Sequence, residues 1–279
     1  MMVRLLQVNT VVRDGWHNMT TDITYWRGCY WLVYRRVSAH YSIDSRLIVL
    51  RSTDLKRWDE VAQIGSDGLD WPPKFCLADN RLFLSFHTTY PLIEPRNEFG
   101  ERISHGKQKA PAVSHVCYTD DGIHWSNPIR VLDNQNIYKM RRHDGIFYAT
   151  AWGWQGDVHD HIHGPLDLLS GDDCLSWRKV STIAGVEDLV DEADMWFHPN
   201  GEVWVICPTW RTPKDHAFFY SSKPPYKQWK RFDLGVTLHS PVFCGCDGKL
   251  YVAGVKDLGG YVPEPWLKPQ TTPAGRTDI

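Results

Sequence analysis

The residues of this 279-residue chain that are best suited to chemistry are three carboxylates and two arginines, far apart in the sequence. Asp22 lies near the N-terminus, and Asp191 and Glu192 are adjacent to each other. Arg35 and Arg211 each follow a strand-like run. Hydrolysis of a glycosidic bond normally needs two carboxyl groups, one protonated and one ionised, and arginine binds a carboxylate through two parallel hydrogen bonds. The set suits cleavage of a glycan that carries an anionic sugar, provided that the fold brings these residues together.

Composition and charge exclude several classes of protein. The chain is 42% hydrophobic and 23% charged with a net charge of −2, which excludes disorder and makes nucleic acid an unexpected partner. No stretch approaches the roughly 18 apolar residues that cross a bilayer, and the N-terminus lacks the pattern of a secretory signal. The seven cysteines form no CxxC pair, which argues against a disulfide framework or a zinc ribbon. We expect a soluble, cytoplasmic chain without a cofactor or a membrane partner.

A short turn recurs along the chain. Residues 52–58, 119–125 and 171–177 each place an aspartate four residues before a tryptophan. The carboxylate of such an aspartate can accept hydrogen bonds from N–H groups of the turn, while the tryptophan packs between strands. A fourth copy at 221–229 keeps the serine and the tryptophan but has prolines in the turn. The tryptophans of successive copies are 67, 52 and 52 residues apart, and repetition at such intervals predicts repeated structural units.

Five predicted hairpins alternate with these turns. Each consists of two aromatic or β-branched runs joined by a tight polar turn, and they span residues 24–35, 74–87, 139–152, 194–208 and 242–255. A hairpin, a third strand, the turn and a fourth strand form one four-stranded antiparallel blade of a propeller. Helical periodicity is nearly absent, and the best candidate is one or two turns at 186–193. The sequence predicts an all-β chain that folds as a single β-propeller domain.

The predicted propeller has five blades. They cover residues 13–64, 70–132, 136–184, 188–236 and 239–279. The last blade is short of strands, so we expect the apolar N-terminal run 3–12 to supply its outer strand and close the ring. The alternative is that the chain holds five blades of an original six.

Propeller topology predicts where the functional residues lie. The innermost strand of each blade lines an axial channel, and the loops that enter it, with those that leave the second strand, surround one mouth. Trp also offers an apolar face to a sugar ring there. The candidate catalytic residues are Asp22 and Glu192, with Asp191 and His40 in reserve, and the candidate substrate-binding residues are Arg35, Arg211, His17, Asn18, Tyr138, Trp152 and Lys256.

Some of these residues also have a purely structural interpretation. Arg35 can cap strand carbonyls, or pair with Asp22 and so join neighbouring blades, because unpaired buried charge is rare. The acidic pair at 191–192 can open a short helical turn, where carboxylates are favourable near the N-terminus. These alternatives stay open at the level of the sequence.

Histidines and an amide near the candidate site have similar alternatives. His17 and Asn18 can satisfy buried backbone groups without binding a ligand. His159, His161 and His163 have the i, i+2 spacing that shares one strand face and can bind a divalent ion. Because no fourth ligand is apparent, we prefer a solvated loop for these three and expect no metal.

The repeated turn resembles the Asp box, or BNR repeat, of the sialidase (neuraminidase) superfamily of propellers. The order of the segments 16–22, 34–35, 191–193, 210–211 and 222–226 is similar to that of bacterial sialidase-like glycosidases. This resemblance implies an arginine cluster for a substrate carboxylate, a carboxylic acid as general acid/base and a Tyr–Glu nucleophile pair. By position it makes Arg35 and Arg211 two of the arginines and Glu192 the glutamate, while Lys256 stands where a third arginine is expected.

These observations lead to one expected function and two alternatives. We expect a sialidase-like, exo-acting glycoside hydrolase whose substrate is a carbohydrate with a sugar of the sialic or uronic acid type. The first alternative is a propeller that binds glycans without catalysis. The second is a polysaccharide lyase that acts on uronic-acid glycans with a Tyr or His base.

Overall fold

The computed structural model describes residues 7–39, 42–90, 112–154, 163–209 and 216–255, without the side chains of Trp154 and His163. Antiparallel strands make up almost all of its regular structure, which confirms the predicted all-β class. Within the described ranges, no helix is long and apolar enough to span a membrane.

Two sheets form the N-terminal half. The first has the strand order β1-β2-β3-β4, with β1 (His17–Trp26), β2 (Cys29–Val37), β3 (Arg46–Ser52) and β4 (Asp59–Ile64). The second has the order β5-β7-β8-β9, with β6 also paired to β7, and consists of β5 (Leu69–Asp70), β6 (Lys74–Ala78), β7 (Arg81–Thr89), β8 (Ala112–Thr119) and β9 (Ile129–Asp133).

Three sheets form the C-terminal half. The third sheet contains β10 (Gln135–His143), β11 (Ile146–Trp154), β12 (His163–Gly171) and β13 (Arg178–Ala184). The fourth contains β14 (Asp194–Phe197), β15 (Val203–Cys207), β16 (Phe218–Ser222) and β17 (Lys230–Asp233). The fifth is described as the pair β18 (His239–Cys246) and β19 (Lys249–Val255). Their strands follow the predicted hairpins closely.

The five sheets follow one another with their first strands in contact. β1 contacts β6, β6 contacts β10, β10 contacts β14, and β14 contacts β18. Side chains of non-adjacent sheets also meet, since Lys139 of β10 forms an ion pair with Asp22 of β1 at 2.9 Å. This is the arrangement expected of innermost strands that surround a common axis.

Apolar side chains fill the space between successive sheets. Trp26 and Leu47 of the first sheet pack with Leu82 of the second, and Met195 of the fourth packs with Leu166 of the third. A fully buried side chain of this size contributes about 1.5–3 kcal/mol. Aromatic side chains also belong to these clusters, among them Trp26, Phe75 and Tyr148.

The repeated turns have the predicted local bonds. Oδ1 of Asp54 accepts hydrogen bonds from the N–H groups of the residues two and three positions later, at 2.8 and 2.9 Å. Asp121 and Asp173 make the same pair of bonds. These carboxylates organise the turn that leads into the fourth strand, so they are structural.

The N-terminal segment differs from the prediction. Residues 7–12 form no strand, and Val12 packs on the first sheet beside Tyr34, Ile48 and Leu50. The apolar side chain of Val12 is thus used on the first sheet, and the described part of the segment does not pair with β19. Residues 3–6 and 275–279, which the predicted closure also uses, lie outside the described residues.

The predicted helical turn is shorter than expected. A 3-10 helix covers only Val186–Asp188 and ends at Leu189, which has a left-handed backbone with φ 48°. Asp191 and Glu192 follow it instead of opening it, so the helix N-terminus does not explain this acidic pair.

Candidate functional site

Side chains from three sheets converge on Tyr138. This residue lies at a register shift of β10, its side chain is 2% exposed, and the ammonium group of Lys74 is 4.8 Å from the centroid of its ring. Burial raises the pKa of Tyr138 well above its usual value, and neighbouring carboxylates raise it further. Those carboxylates are Glu192, Asp194, Asp191 and Asp22. We call Asp22, Tyr138, Asp191 and Glu192 the acid cluster.

Asp22 is an ionised carboxylate whose hydrogen bonds to the protein end on only one of its two oxygens. Oδ2 accepts hydrogen bonds from Nζ of Lys139 at 2.9 Å and from the N–H of Phe75 at 2.7 Å. Burial acts to raise the pKa of Asp22, but the charges of Lys139 and Lys74 outweigh it, and the pKa lies below its usual value. Asp22 therefore carries a charge at neutral pH, and Oδ1 takes no part in these bonds.

Asp194 shows what an equivalent carboxylate does when it is only structural. It lies in the first strand of the fourth sheet and accepts the N–H of Phe243 in the next sheet at 2.8 Å, as Asp22 does with the second sheet. Arg141 donates to both of its oxygens at 3.2 Å. Both oxygens of Asp194 are thus occupied by the protein, whereas one oxygen of Asp22 is not.

Glu192 is held by the first strand of the fifth sheet. Its Oε2 accepts hydrogen bonds from the backbone N–H of Ser240 at 3.0 Å and from the hydroxyl of Ser240 at 2.8 Å. Glu192, Ser240 and Thr20 have positive φ values of 39°, 46° and 48°. Such backbone strain costs on the order of 1–3 kcal/mol per residue and is concentrated at functional sites in proteins.

Arg35 lies close to His17 and His87, and its guanidinium is engaged within the protein. The residue is 0% exposed, its guanidinium lies 4.9 Å from the ring centroid of Trp71, and Nη1 is 3.1 Å from Sδ of Met19. Burial raises the pKa of Asp70, and Arg35 is close enough to act against that rise. Since Asp22 pairs with Lys139, the alternative of an Arg35–Asp22 ion pair is not found.

Aromatic rings are grouped around His87, close to Arg35. His87, at the end of β7, stacks near Trp71 at 6.3 Å between ring centroids and meets Trp152 edge-on at 6.0 Å. We call Trp71, His87 and Trp152 the aromatic wall. Burial, with smaller contributions from the charges of Arg35 and His115, lowers the pKa of His87 to about 3. The imidazole is therefore neutral at physiological pH.

Among the residues that the structure describes, several buried polar side-chain atoms at the starts of β1 and β10 and near the end of β7 have no hydrogen-bond partner. In the described part of the chain these include Oδ1 of Asn18, Oγ1 of Thr20, Nδ1 of His87 and both side-chain polar atoms of Asn136. Each such group costs about 1–3 kcal/mol when it is left unsatisfied. The groups of His87 and Asn136 lie close together, since Trp152 pairs with Asn136 and its ring is 6.0 Å from that of His87.

The remaining predicted site residues divide into two sets. His17 begins β1, where burial and the charge of Arg35 lower its pKa, and Asn18 donates from Nδ2 to Asp14 at 2.7 Å. The others lie outside the described residues: His40, Arg211, Lys256, His159 and His161, with His163 described only as the first backbone position of β12. Across the described ranges, no three His, Cys, Asp or Glu side chains are grouped to hold a metal ion.

Ser240 and Asn136 are site residues that the sequence analysis missed. No motif marks either of them. Only their position could have indicated them. Asn136 lies near the start of β10 and Ser240 near the start of β18, and the starts of such strands were predicted to surround the mouth of the axial channel.

Comparison with known proteins gives a likeness of fold. No family model and no curated protein matches the sequence. Among solved structures, the chain superimposes on a Trypanosoma rangeli sialidase with a TM-score of 0.60 at 10% identity, covering 88% of this chain and 45% of that one. A GH32 beta-fructofuranosidase from Bombyx mori gives 0.58 at 13% identity, covering 87% of this chain and 57% of that one.

An alpha-L-arabinofuranosidase from Fusarium graminearum matches equally well. Its TM-score is 0.58 at 13% identity, and the match covers 85% of this chain and 72% of that one. The chain thus spans about half the length of the sialidase and the fructofuranosidase. At these identities the comparisons establish the fold, and all three matched proteins are named as glycosidases.

Proposed function

We propose that the protein is a glycoside hydrolase that removes a terminal sugar, with Asp22 and Glu192 as its pair of carboxyl groups. The observation that carries the proposal is that these two carboxyl groups, 170 positions apart in the sequence, both act on the buried Tyr138 and raise its pKa. Glycosidase names among the structural neighbours agree with it.

The two carboxyl groups have different surroundings, as such a reaction requires. Asp22 is kept ionised by two lysines, which suits a nucleophile or a base that activates water. Glu192 has one oxygen fixed by Ser240, so its other oxygen is oriented for proton transfer to the leaving group. Asp191, 7% exposed and close to Tyr138, is the reserve for the acid.

An anionic sugar is a second candidate substrate. The guanidinium of Arg35, whose charge acts on His17 and His87, favours it, and a sialidase is among the structural neighbours. Against it, the guanidinium of Arg35 is fully buried and stacked on Trp71. We therefore rank a neutral sugar first and a sialic or uronic acid second.

The function is tested by comparing two matched aspartate variants. Wild-type protein is assayed with nitrophenyl glycosides of xylose, arabinofuranose, galactose, glucuronic acid and sialic acid, and should cleave at least one. Asp22→Asn should lower kcat/KM at least 100-fold, the usual range for losing a catalytic carboxylate being about 10²–10⁴. Asp194→Asn neutralises a carboxylate that makes the equivalent inter-sheet bond but has both oxygens bonded within the protein, so folded Asp194→Asn should retain most of the activity.

Two results would contradict the proposal. One is a folded wild-type protein that cleaves none of the glycosides. The other is an Asp22→Asn variant as active as Asp194→Asn, since Asp22 would then be structural as well.

A further inference from the structure

We propose that His87 and Asn136 form a subsite that binds neighbouring hydroxyl groups of a neutral sugar ring. The inference rests on the proposed function in one respect, namely that the bound ring is the terminal sugar of the substrate. It names two binding residues and a substrate class that the acid cluster alone does not define.

The two side chains lie in one place. Asn136 pairs with Trp152 across β10 and β11, and the ring of Trp152 is 6.0 Å from that of His87. Ser114 is the ladder partner of His87, and its hydroxyl bonds both the carbonyl before Asn136, at 2.7 Å, and the N–H after it, at 2.8 Å. The end of β7 and the start of β10 are thus joined through one hydroxyl group.

The polar atoms of this pair are buried and unsatisfied. Asn136 is 0% exposed and His87 is 6% exposed. Within the described chain, neither Nδ2 nor Oδ1 of Asn136 has a hydrogen-bond partner, and the same holds for Nδ1 of His87. The amide offers a donor and an acceptor, and a sugar hydroxyl is itself both donor and acceptor. Two neighbouring hydroxyl groups would match the amide and the imidazole together.

The surroundings favour an uncharged ligand. His87 stays neutral because burial lowers its pKa to about 3, and the flanking members of the aromatic wall are uncharged indoles. Among the described residues, the cation whose charge acts on His87 is Arg35, which is stacked on Trp71 and lies close to Asp70. A carboxylate in this subsite would meet the amide oxygen of Asn136 without a cation of its own, so its desolvation would be uncompensated.

Binding of free sugars tests this subsite without relying on turnover. Tryptophan fluorescence is followed while methyl β-D-xylopyranoside, methyl α-L-arabinofuranoside and methyl β-D-glucuronoside are titrated. At least one neutral glycoside should bind wild-type protein more tightly than the glucuronoside. Asn136→Leu should weaken that binding at least tenfold while its melting temperature rises, because an apolar side chain of similar volume replaces an unsatisfied buried amide.

Deoxy sugars identify the hydroxyl that the amide binds. Removing that hydroxyl from the bound glycoside should weaken wild-type binding about tenfold and leave Asn136→Leu binding unchanged, as expected for a direct contact. Ile137→Val is the matched control on the same strand. It trims a side chain of the core, so it should lower the melting temperature and keep the wild-type preference among the deoxy sugars.

Several outcomes overturn the inference. They are unchanged sugar binding by folded Asn136→Leu, equal discrimination of deoxy sugars by that variant and the wild type, or tighter binding of the glucuronoside. His87→Leu gives the same comparison if Asn136→Leu does not fold. Failure of the proposed function is separate: sugars would bind through this subsite without being hydrolysed.

Discussion

Asp22 and Asp194 occupy equivalent places in their sheets, and the difference between them lies in how many oxygens the fold uses. Each carboxylate accepts a hydrogen bond from a backbone N–H of the sheet that follows, Phe75 for Asp22 and Phe243 for Asp194. Asp194 is also bound at both oxygens by Arg141, while the bonds of Asp22 all end on Oδ2. Because Oδ1 of Asp22 lies outside these hydrogen bonds, it is the oxygen that we propose for contact with a substrate.

The neutral state of His87 should be visible in the pH dependence of stability. Its pKa is about 3 in the folded protein against 6.5 in the unfolded chain, so the unfolded state binds more protons between these values. The stability contributed by the neutral imidazole is complete above pH 6.5 and is lost as pH falls towards 3. Between pH 6.5 and 4.5 this amounts to about 2 kcal/mol, since one pH unit corresponds to about 1.4 kcal/mol.

His87→Gln isolates this contribution. The free energy of unfolding, measured with denaturant at pH 6.5, 5.5 and 4.5, should fall less for the variant than for the wild type. Equal slopes for the two proteins would mean that His87 titrates normally and is not held neutral by burial.

At this scale the sequence named Asp22, Tyr138, Asp191 and Glu192 as candidates, but not Ser240, which holds one oxygen of Glu192. Asp22, Tyr138 and Glu192 follow from their places at the starts of predicted blades. Ser240 and Asn136 also lie near strand starts, but this position alone does not show on which side of the strand their side chains lie, because that depends on the register.

Irregular strand starts shape the site at the level of elements. The pairings of β1, β10 and β18 each shift register close to the acid cluster, between Met19 and Thr21, between Ile137 and Lys139, and between His239 and Val242. A bulge reverses the alternation of side chains and re-aims the residues beside it. Simple alternation along a predicted strand therefore fails where the function lies.

The repeated turn of the second sheet should depend on glycine for two reasons. Gly122 has φ +79°, and a Cβ there would lie 2.4 Å from the ring of Trp31 in the first sheet. Gly145 has φ +81° with no atom within 4 Å of the same position. Gly145→Ala should cost about 1–2 kcal/mol from backbone strain alone, and Gly122→Ala a further 1–3 kcal/mol from overpacking.

Denaturant unfolding of the two alanine variants measures this difference. Equal losses in the free energy of unfolding would show that the turn does not pack against Trp31, and would count against the described interface between the first and second sheets.

At the level of the whole molecule, repetition in the sequence allowed the fold to be predicted. The hairpins and the aspartate turns recur in the sequence, and the sheets appear in that order with matching strands. The N-terminal segment was the exception. It is apolar and suits a strand, but its pattern does not say which sheet it joins, and Val12 packs on the first sheet.

Convergence of distant sheets is also what the proposed chemistry depends on. Asp22 and Glu192 are 170 positions apart in the sequence, and the charges of both raise the pKa of Tyr138. The sugar would be bound by groups of the first, second and third sheets and cleaved with a carboxyl group held by the fifth.

The most direct measurement is kcat/KM of Glu192→Gln on the glycoside that the wild type cleaves best, beside Glu202→Gln as a control elsewhere in the fourth sheet's hairpin. Glu192→Gln should lose activity at least 100-fold, within the range of about 10²–10⁴ for a general acid, with an unchanged melting temperature, and Glu202→Gln should match the wild type. A Glu192→Gln variant that hydrolyses the glycoside at the wild-type rate would contradict the account.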